Sequence, residues 1–311
     1  MKTASSLLLA ASLCVPLLAS AAEPDSCRTV RFADVGWTDI TVTTAVTSKL
    51  LNAMGYKTKT NLISVPVTYK SLENKDIDVF LGNWMPTMEG DIKAYREKGS
   101  VETVRANLEG AKYTLAVPRH LYDKGLRDFA DIVKFEKELG GKIHGIESGS
   151  DGNALIQTMI RDDRFGLKNF TLVETSEAAM LVEALRASRS RKAIVFLGWE
   201  PHPMNVQMKM NYLAGGDAVF GPNFGEARVH TAVPQGYEAK CPNVARLLAN
   251  LQFSPEMESH VMGPILNKVR PHAAARSYLK KNPGAVEPWL QGVTTVDGKD
   301  GLAAVTAALK R

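Results

Sequence analysis

TVRFADVGW, residues 29–37, reads as a strand running straight into Gly-Trp, and the same grammar returns twice. IDVFLGNW at 77–84 and AIVFLGW at 193–199 each carry a β-branched and aromatic run into a glycine and then a tryptophan. Around them lie segments with helical spacing at 40–54, 68–74, 88–98, 130–139, 153–163 and 176–188, several of them closed by glycine. Further strands are predicted at 58–65, 112–117, 142–146, 170–173 and 228–233, followed by mostly helical sequence to Arg311. Strands alternating with helices in this way predict an α/β fold. Two such units with a return crossing predict one lobe built from 23–112 plus 228–311 and a second, inserted lobe at 113–227.

The composition is that of an ordinary globular protein: 311 residues, 45% hydrophobic and 23% charged, which excludes disordered and collagen-like classes. A net charge of +5 is only mildly basic. The densest basic stretch, RASRSRK from Arg186 to Lys192, reads as the wet end of a helix, so a nucleic-acid partner is not expected.

Residues 1–22 combine Lys2, an apolar run from Leu7 to Leu18 and small residues up to Ala22. That pattern predicts a secretory signal peptide cleaved near Ala21 or Ala22, and a soluble periplasmic protein. The apolar run is well short of the ~20 residues a bilayer span needs. Leu13 directly before Cys14 argues against a lipoprotein signal. Cleavage leaves two cysteines, Cys27 and Cys241, and an oxidising compartment favours a disulfide between them over a metal pair. A soluble exported chain of two lobes joined by two crossings points to a hinged ligand-binding protein.

Three of the chain's four tryptophans, Trp37, Trp84 and Trp199, follow the strand-glycine grammar. Ligands of open α/β sheets bind beyond the carboxyl ends of the strands, and glycine there permits a sharp exit turn. Trp289, in a Pro-flanked C-terminal stretch, reads as core. Aromatic faces converging on a crevice suit a quaternary ammonium, which donates no hydrogen bond and is recognised by ring quadrupoles. A sugar would call for more Asp, Asn and Arg in the same loops. Asp39, two residues after Trp37, is either a ligand carboxylate or the N-cap of the following helix. The loop Glu147-Ser148-Gly149-Ser150-Asp151-Gly152-Asn153 either holds a polar ligand end at a helix N-terminus or is a plain capped turn.

Enzyme signatures are lacking. The six histidines are scattered, Glu200-Pro201-His202-Pro203 lacks the spacing of a zinc site, and Gly149-Ser150-Asp151-Gly152 is not a nucleophile elbow. An exported choline-ester hydrolase is the rival class.

VGWTDIT, SVPVTYKSL, IDVFLGNWMP, GAKYTLAVP, GKIHGIESGSDGN, FLGWEPHPMN and FGPNFG together resemble the periplasmic choline-binding proteins of quaternary-amine ABC importers. The resemblance implies a two-lobed, hinged, type II periplasmic binding protein with its ligand in the interlobe cleft. It implies a cage of Trp37, Trp84, Tyr113 and Trp199, with Asp39 as acidic partner of the ammonium and a Cys27–Cys241 disulfide. Tyr113 would sit near the hinge. Where the family carries an Asn for the choline hydroxyl, this chain has Ser150, with Asn153 as the other candidate, so carnitine and glycine betaine are alternative ligands. Neither a cofactor nor a metal is implied. The partners are a membrane permease and an ATPase, and the protein is expected to be a monomer.

Overall fold

The computed structural model describes residues 23–311, so the expected signal peptide lies outside the described residues. Its strands are β1 (Thr29–Asp34), β2 (Lys57–Leu62), β3 (Val79–Met85), β4 (Val101–Pro118), β5 (Lys142–His144), β6 (Thr171–Val173), β7 (Phe196–Glu200), β8 (Met210–Tyr212) and β9 (Glu226–Pro234). They form one sheet in the order β2-β1-β3-β9-β4-β7-β5-β6, with β8 paired to β4. Two parallel α/β halves, β2-β1-β3 and β7-β5-β6, flank a central antiparallel pair, β9 and β4. The inner strands β1, β3 and β7 are largely buried and carry the apolar runs, whereas β2, at one edge, is polar and exposed and β6, at the other, is only partly buried. Val30, Phe32, Val79, Phe80, Leu81, Phe196 and Leu197 are wholly buried.

β4 joins the halves. It pairs with β9 over Val101–Lys112 and with β7 over Lys112–Ala116, so Lys112 faces both Glu226 and Glu200. The sequence pattern predicts only the second part of this strand. Three register shifts between Thr103 and Ala111 break the period-two alternation of the first part, so its pattern does not read as a strand. The segment at 130–139 is likewise not one helix: it is a 3₁₀ stretch, Phe129–Phe135, followed by a single turn, Glu136–Leu139.

The glycine grammar needs correction. β3 and β7 run through their Gly-Trp sequences instead of ending at them, so Trp84 and Trp199 lie within the strands. A Cβ on Gly82 would come within 2.8 Å of the Ile40 side chain, and one on Gly198 within 3.0 Å of Ala116 Cβ. Those glycines serve close packing, not an exit turn. Only Gly36, at φ +90°, makes the turn the pattern suggested. Both tryptophan-bearing strands end at a cis X-Pro bond, Met85-Pro86 and Glu200-Pro201.

After β9, helices Pro242–Asn250, Pro255–Leu266 and Pro271–Lys281 each open on proline, whose missing N–H costs nothing at a first helical position. They return to the β1-β3 half and pack there, the last two against helix Thr38–Ala53. Cys27, just before β1, is bonded to Cys241, just after β9, with Cα atoms 5.6 Å apart. The disulfide therefore joins the two ends of the chain's excursion into the other half. Among the described residues, no helix is long and apolar enough to cross a membrane.

Candidate functional site

Where the halves meet, Trp37, Asp39, Trp84, Tyr113, Ile146 and Trp199 line a small, tight cavity. Trp37 occupies the N-cap position of helix Thr38–Ala53, and Asp39 is the helix's second residue. Asp39 is thus not the N-cap, and its carboxylate is free to face the cavity. Trp84 comes from β3. Tyr113 on β4 is the register partner of Trp199 on β7, which holds their side chains on one face of the sheet. The Tyr113 ring centroid lies 5.8 Å from Trp84 and 6.3 Å from Trp199, in tilted and edge-on orientations. Each of these four aromatic residues is at most 5% exposed.

The fit around Tyr113 explains two glycines. A Cβ on Gly152 would fall 2.1 Å from the Tyr113 hydroxyl, and one on Gly225 would fall 2.0 Å from the Tyr113 carbonyl oxygen. Neither position admits a side chain while Tyr113 stays in place.

The polar groups divide sharply. Trp84 Nε1 donates to Asp39 Oδ2 at 3.2 Å, whereas the buried Oδ1 has no partner. Trp37 Nε1 donates to Glu147. Burial, and secondarily the charge of Glu177, push the Asp39 carboxyl up to about 8. Burial also raises Glu147, and it lifts Asp151 to about 7 and Asp91 to about 6. Asp39 in the cavity wall and Glu147 against Trp37 are therefore carboxyl groups that have lost their water, and a cation is the natural counterion.

Ser150 and Asn153 depart from the expectation. The Ser150 hydroxyl accepts the Asn153 backbone N–H at 3.4 Å, capping helix Asp151–Arg161. The Asn153 side chain accepts from Ile146 N and donates to Ile146 O, Glu147 O and Glu174, fastening the loop that carries Ile146. Neither lines the cavity. The capped-turn reading of this loop fits, and Ile146 is the lining residue that sequence reasoning missed. Its signal was faint: an apolar residue ending a strand just before a polar loop. Trp289 is core, its Nε1 donating to Gln252 O.

Residues 28–281 match the family model for the substrate binding domain of ABC-type glycine betaine transport systems. The chain belongs to this family. Two solved structures of an ABC-transporter choline binding protein are each 60% identical to it, covering 92% of this chain and 100% of their own length. The complex with choline superposes with a TM-score of 0.91 and the unliganded semi-closed form with 0.84. The glycine betaine/carnitine transport binding protein GbuC of Listeria monocytogenes is 31% identical over 169 residues, 53% of this chain and 55% of that protein. As a substrate-binding protein of an ABC transporter, the chain has the two-lobed α/β fold of its relatives, with the aromatic cavity in the cleft between the lobes. The chain thus superposes more closely on the relative in complex with choline than on the unliganded semi-closed one.

The carboxyls of the cleft predict how this substrate-binding protein responds to pH when empty. A carboxyl raised on closing favours the closed state below its ordinary range and opposes it as pH rises toward the raised value. Each pH unit over which Asp39 must take up a proton costs empty closure about 1.4 kcal/mol. Glu147, bonded to Trp37, and Asp151 act in the same direction. Small-angle scattering of the unliganded protein should show a smaller radius of gyration at pH 5 than at pH 7.5. A radius independent of pH would contradict the electrostatic reading of the cleft.

Proposed function

We propose that this protein captures choline in the periplasm and delivers it to the permease and ATPase of an ABC importer. The observation that carries the reading is the cavity itself: four aromatic residues around a buried carboxylate oxygen that has no partner. A trimethylammonium group offers methyl surface and spread charge to ring faces, worth about 0.5–2 kcal/mol each when desolvated. Three or four faces supply up to ~8 kcal/mol, the scale of a micromolar site. Asp39 supplies the opposite charge.

The donor count favours choline over zwitterions. The carboxylate of betaine or carnitine would seek hydrogen-bond donors or a cation. The N–H groups of Trp37 and Trp84 are already given to carboxylates, and no Lys, Arg or His is among the residues lining the cavity. A second carboxylate beside Asp39 would meet repulsion. The 60% identical relative solved with choline supports the same assignment.

In this reading the signal peptide is removed near Ala21 or Ala22 and the mature protein acts as a monomer. Lobe I comprises 23–112 and 228–311, contributing Trp37, Asp39 and Trp84. Lobe II comprises 113–227, contributing Trp199 and Ile146, with Tyr113 at the boundary. Ligand bridging both lobes favours the closed state, and the closed form is what the permease receives. Calorimetric titration with choline, glycine betaine and carnitine tests the assignment. Choline should bind at least about tenfold more tightly than either zwitterion, and acetylcholine should not be hydrolysed. Equal or tighter binding of betaine would overturn the choline assignment, and ester turnover would favour a hydrolase.

A further inference from the structure

Helix Thr38–Ala53 begins without a cap of its own. Its N-cap residue is Trp37, whose side chain makes no capping hydrogen bond, although the first-turn amides of a helix need acceptors. The acceptor comes from 139 residues away. Glu177, the first residue of helix Glu177–Arg189, receives the Thr38 backbone N–H on Oε2 at 2.8 Å and the Thr38 hydroxyl on Oε1 at 2.6 Å. A carboxylate is the best acceptor here, because the helix N-terminus carries partial positive charge and charge-assisted bonds are the strong ones.

A third group fixes that carboxylate. His202 accepts the Met204 backbone N–H on Nδ1 at 3.0 Å, so the ring proton resides on Nε2 and is donated to Glu177 Oε1 at 3.1 Å. The same imidazole packs edge-on against Trp199, with ring centroids 5.0 Å apart. Thr38, Glu177 and His202 are all buried. The chain of contact thus runs from Trp199, on one wall of the cage, through His202 and Glu177 to Thr38, which lies between Trp37 and Asp39 on the other wall.

We infer that Glu177 is the latch of the cleft, a positioning residue that caps the Thr38 helix across the gap when the lobes close and ties that cap to the Trp199 wall through His202. Separating the lobes would strip the helix of its cap and return the carboxylate to water, so the latch is made only on closure. It lies outside the ligand cavity, and it sets how long the ligand is held, not whether it is recognised. The inference rests on the capture reading above.

Stopped-flow fluorescence of the full mature protein with choline tests it. Glu177→Ala should release choline roughly tenfold faster or more, with an association rate within about threefold of wild type, because the latch forms after encounter. Glu177→Gln, which keeps one acceptor oxygen, should fall between the two. The thermal midpoint of unliganded Glu177→Ala should match wild type, while the increase brought by choline shrinks; a merely structural role would lower both. Thr38→Val combined with Glu177→Gln should cost less than the sum of the single changes, as groups sharing one interaction do. Wild-type release rates in both Glu177 variants would reject the latch while leaving capture intact. A wild type that binds no quaternary amine would reject capture and the latch with it.

Discussion

Trp84→Ala should weaken choline binding by about thirtyfold or more. One desolvated cation–π face is worth about 2 kcal/mol, and each 1.4 kcal/mol is a factor of ten. Two further losses add to this. Trp84 Nε1 holds Asp39 Oδ2, so truncation leaves the carboxylate unheld. Trp84 also stands against Tyr113 at 5.8 Å, and its removal opens the cavity to water, which weakens every electrostatic contact inside. Trp84→Phe retains a ring face without the N–H and should lie between wild type and alanine. Trp199→Ala, on the opposite wall, should lose a comparable amount. Calorimetric titration measures these changes, with circular dichroism to establish that the fold persists. Unchanged choline affinity in either alanine variant would contradict the cage.

The second large effect concerns stability. Replacing Cys27 and Cys241 together by serine should destabilise the protein by about 5 kcal/mol, the chain entropy of closing so long a loop. The bond spans 214 residues and joins the segment before β1 to the segment after β9. Glu23, close by, accepts the backbone N–H groups of Asn243 and Val244 at 3.1 and 3.3 Å, so the same junction is held by hydrogen bonds as well. A loss of that size corresponds to a drop in thermal midpoint of roughly 8 °C. Choline affinity should change little, because neither cysteine lines the cavity. A midpoint within a few degrees of wild type would refute the entropic account of the bond.

Much of the cage was legible because its residues obey local rules. Three tryptophans follow buried apolar runs, and buried runs of that length are parallel strands. Their neighbourhood in space followed from the crossing of the chain. Tyr113 was a different case: no local pattern singles it out, and only the family resemblance pointed to it. The reason assigned to Gly82 and Gly198 was mistaken. A glycine required for close packing and one required for a turn look the same in sequence, and only Gly36 is of the second kind.

What the sequence concealed was the traffic across the cleft. Glu177 meets Thr38 and Glu147 meets Trp37 at separations of 139 and 110 residues, and no local signal reports such a pairing. His202 drew attention only as a possible metal ligand, whereas its neighbours make it a hydrogen-bond donor to Glu177. Ser150 shows the converse limit. A serine at a helix start satisfies capping so well that its likeness to a ligand position carries little weight against it.

Choline compared with 3,3-dimethylbutan-1-ol, its uncharged carbon isostere, tests the central claim most directly. The two have the same shape and hydroxyl, and differ in whether the quaternary centre is charged. Titrated into the mature protein, choline should bind roughly a hundredfold more tightly, since the ring quadrupoles and Asp39 act only on the charge. Equal affinities would mean that the cavity selects by shape and apolar surface alone, and that the aromatic cage is not a cation site.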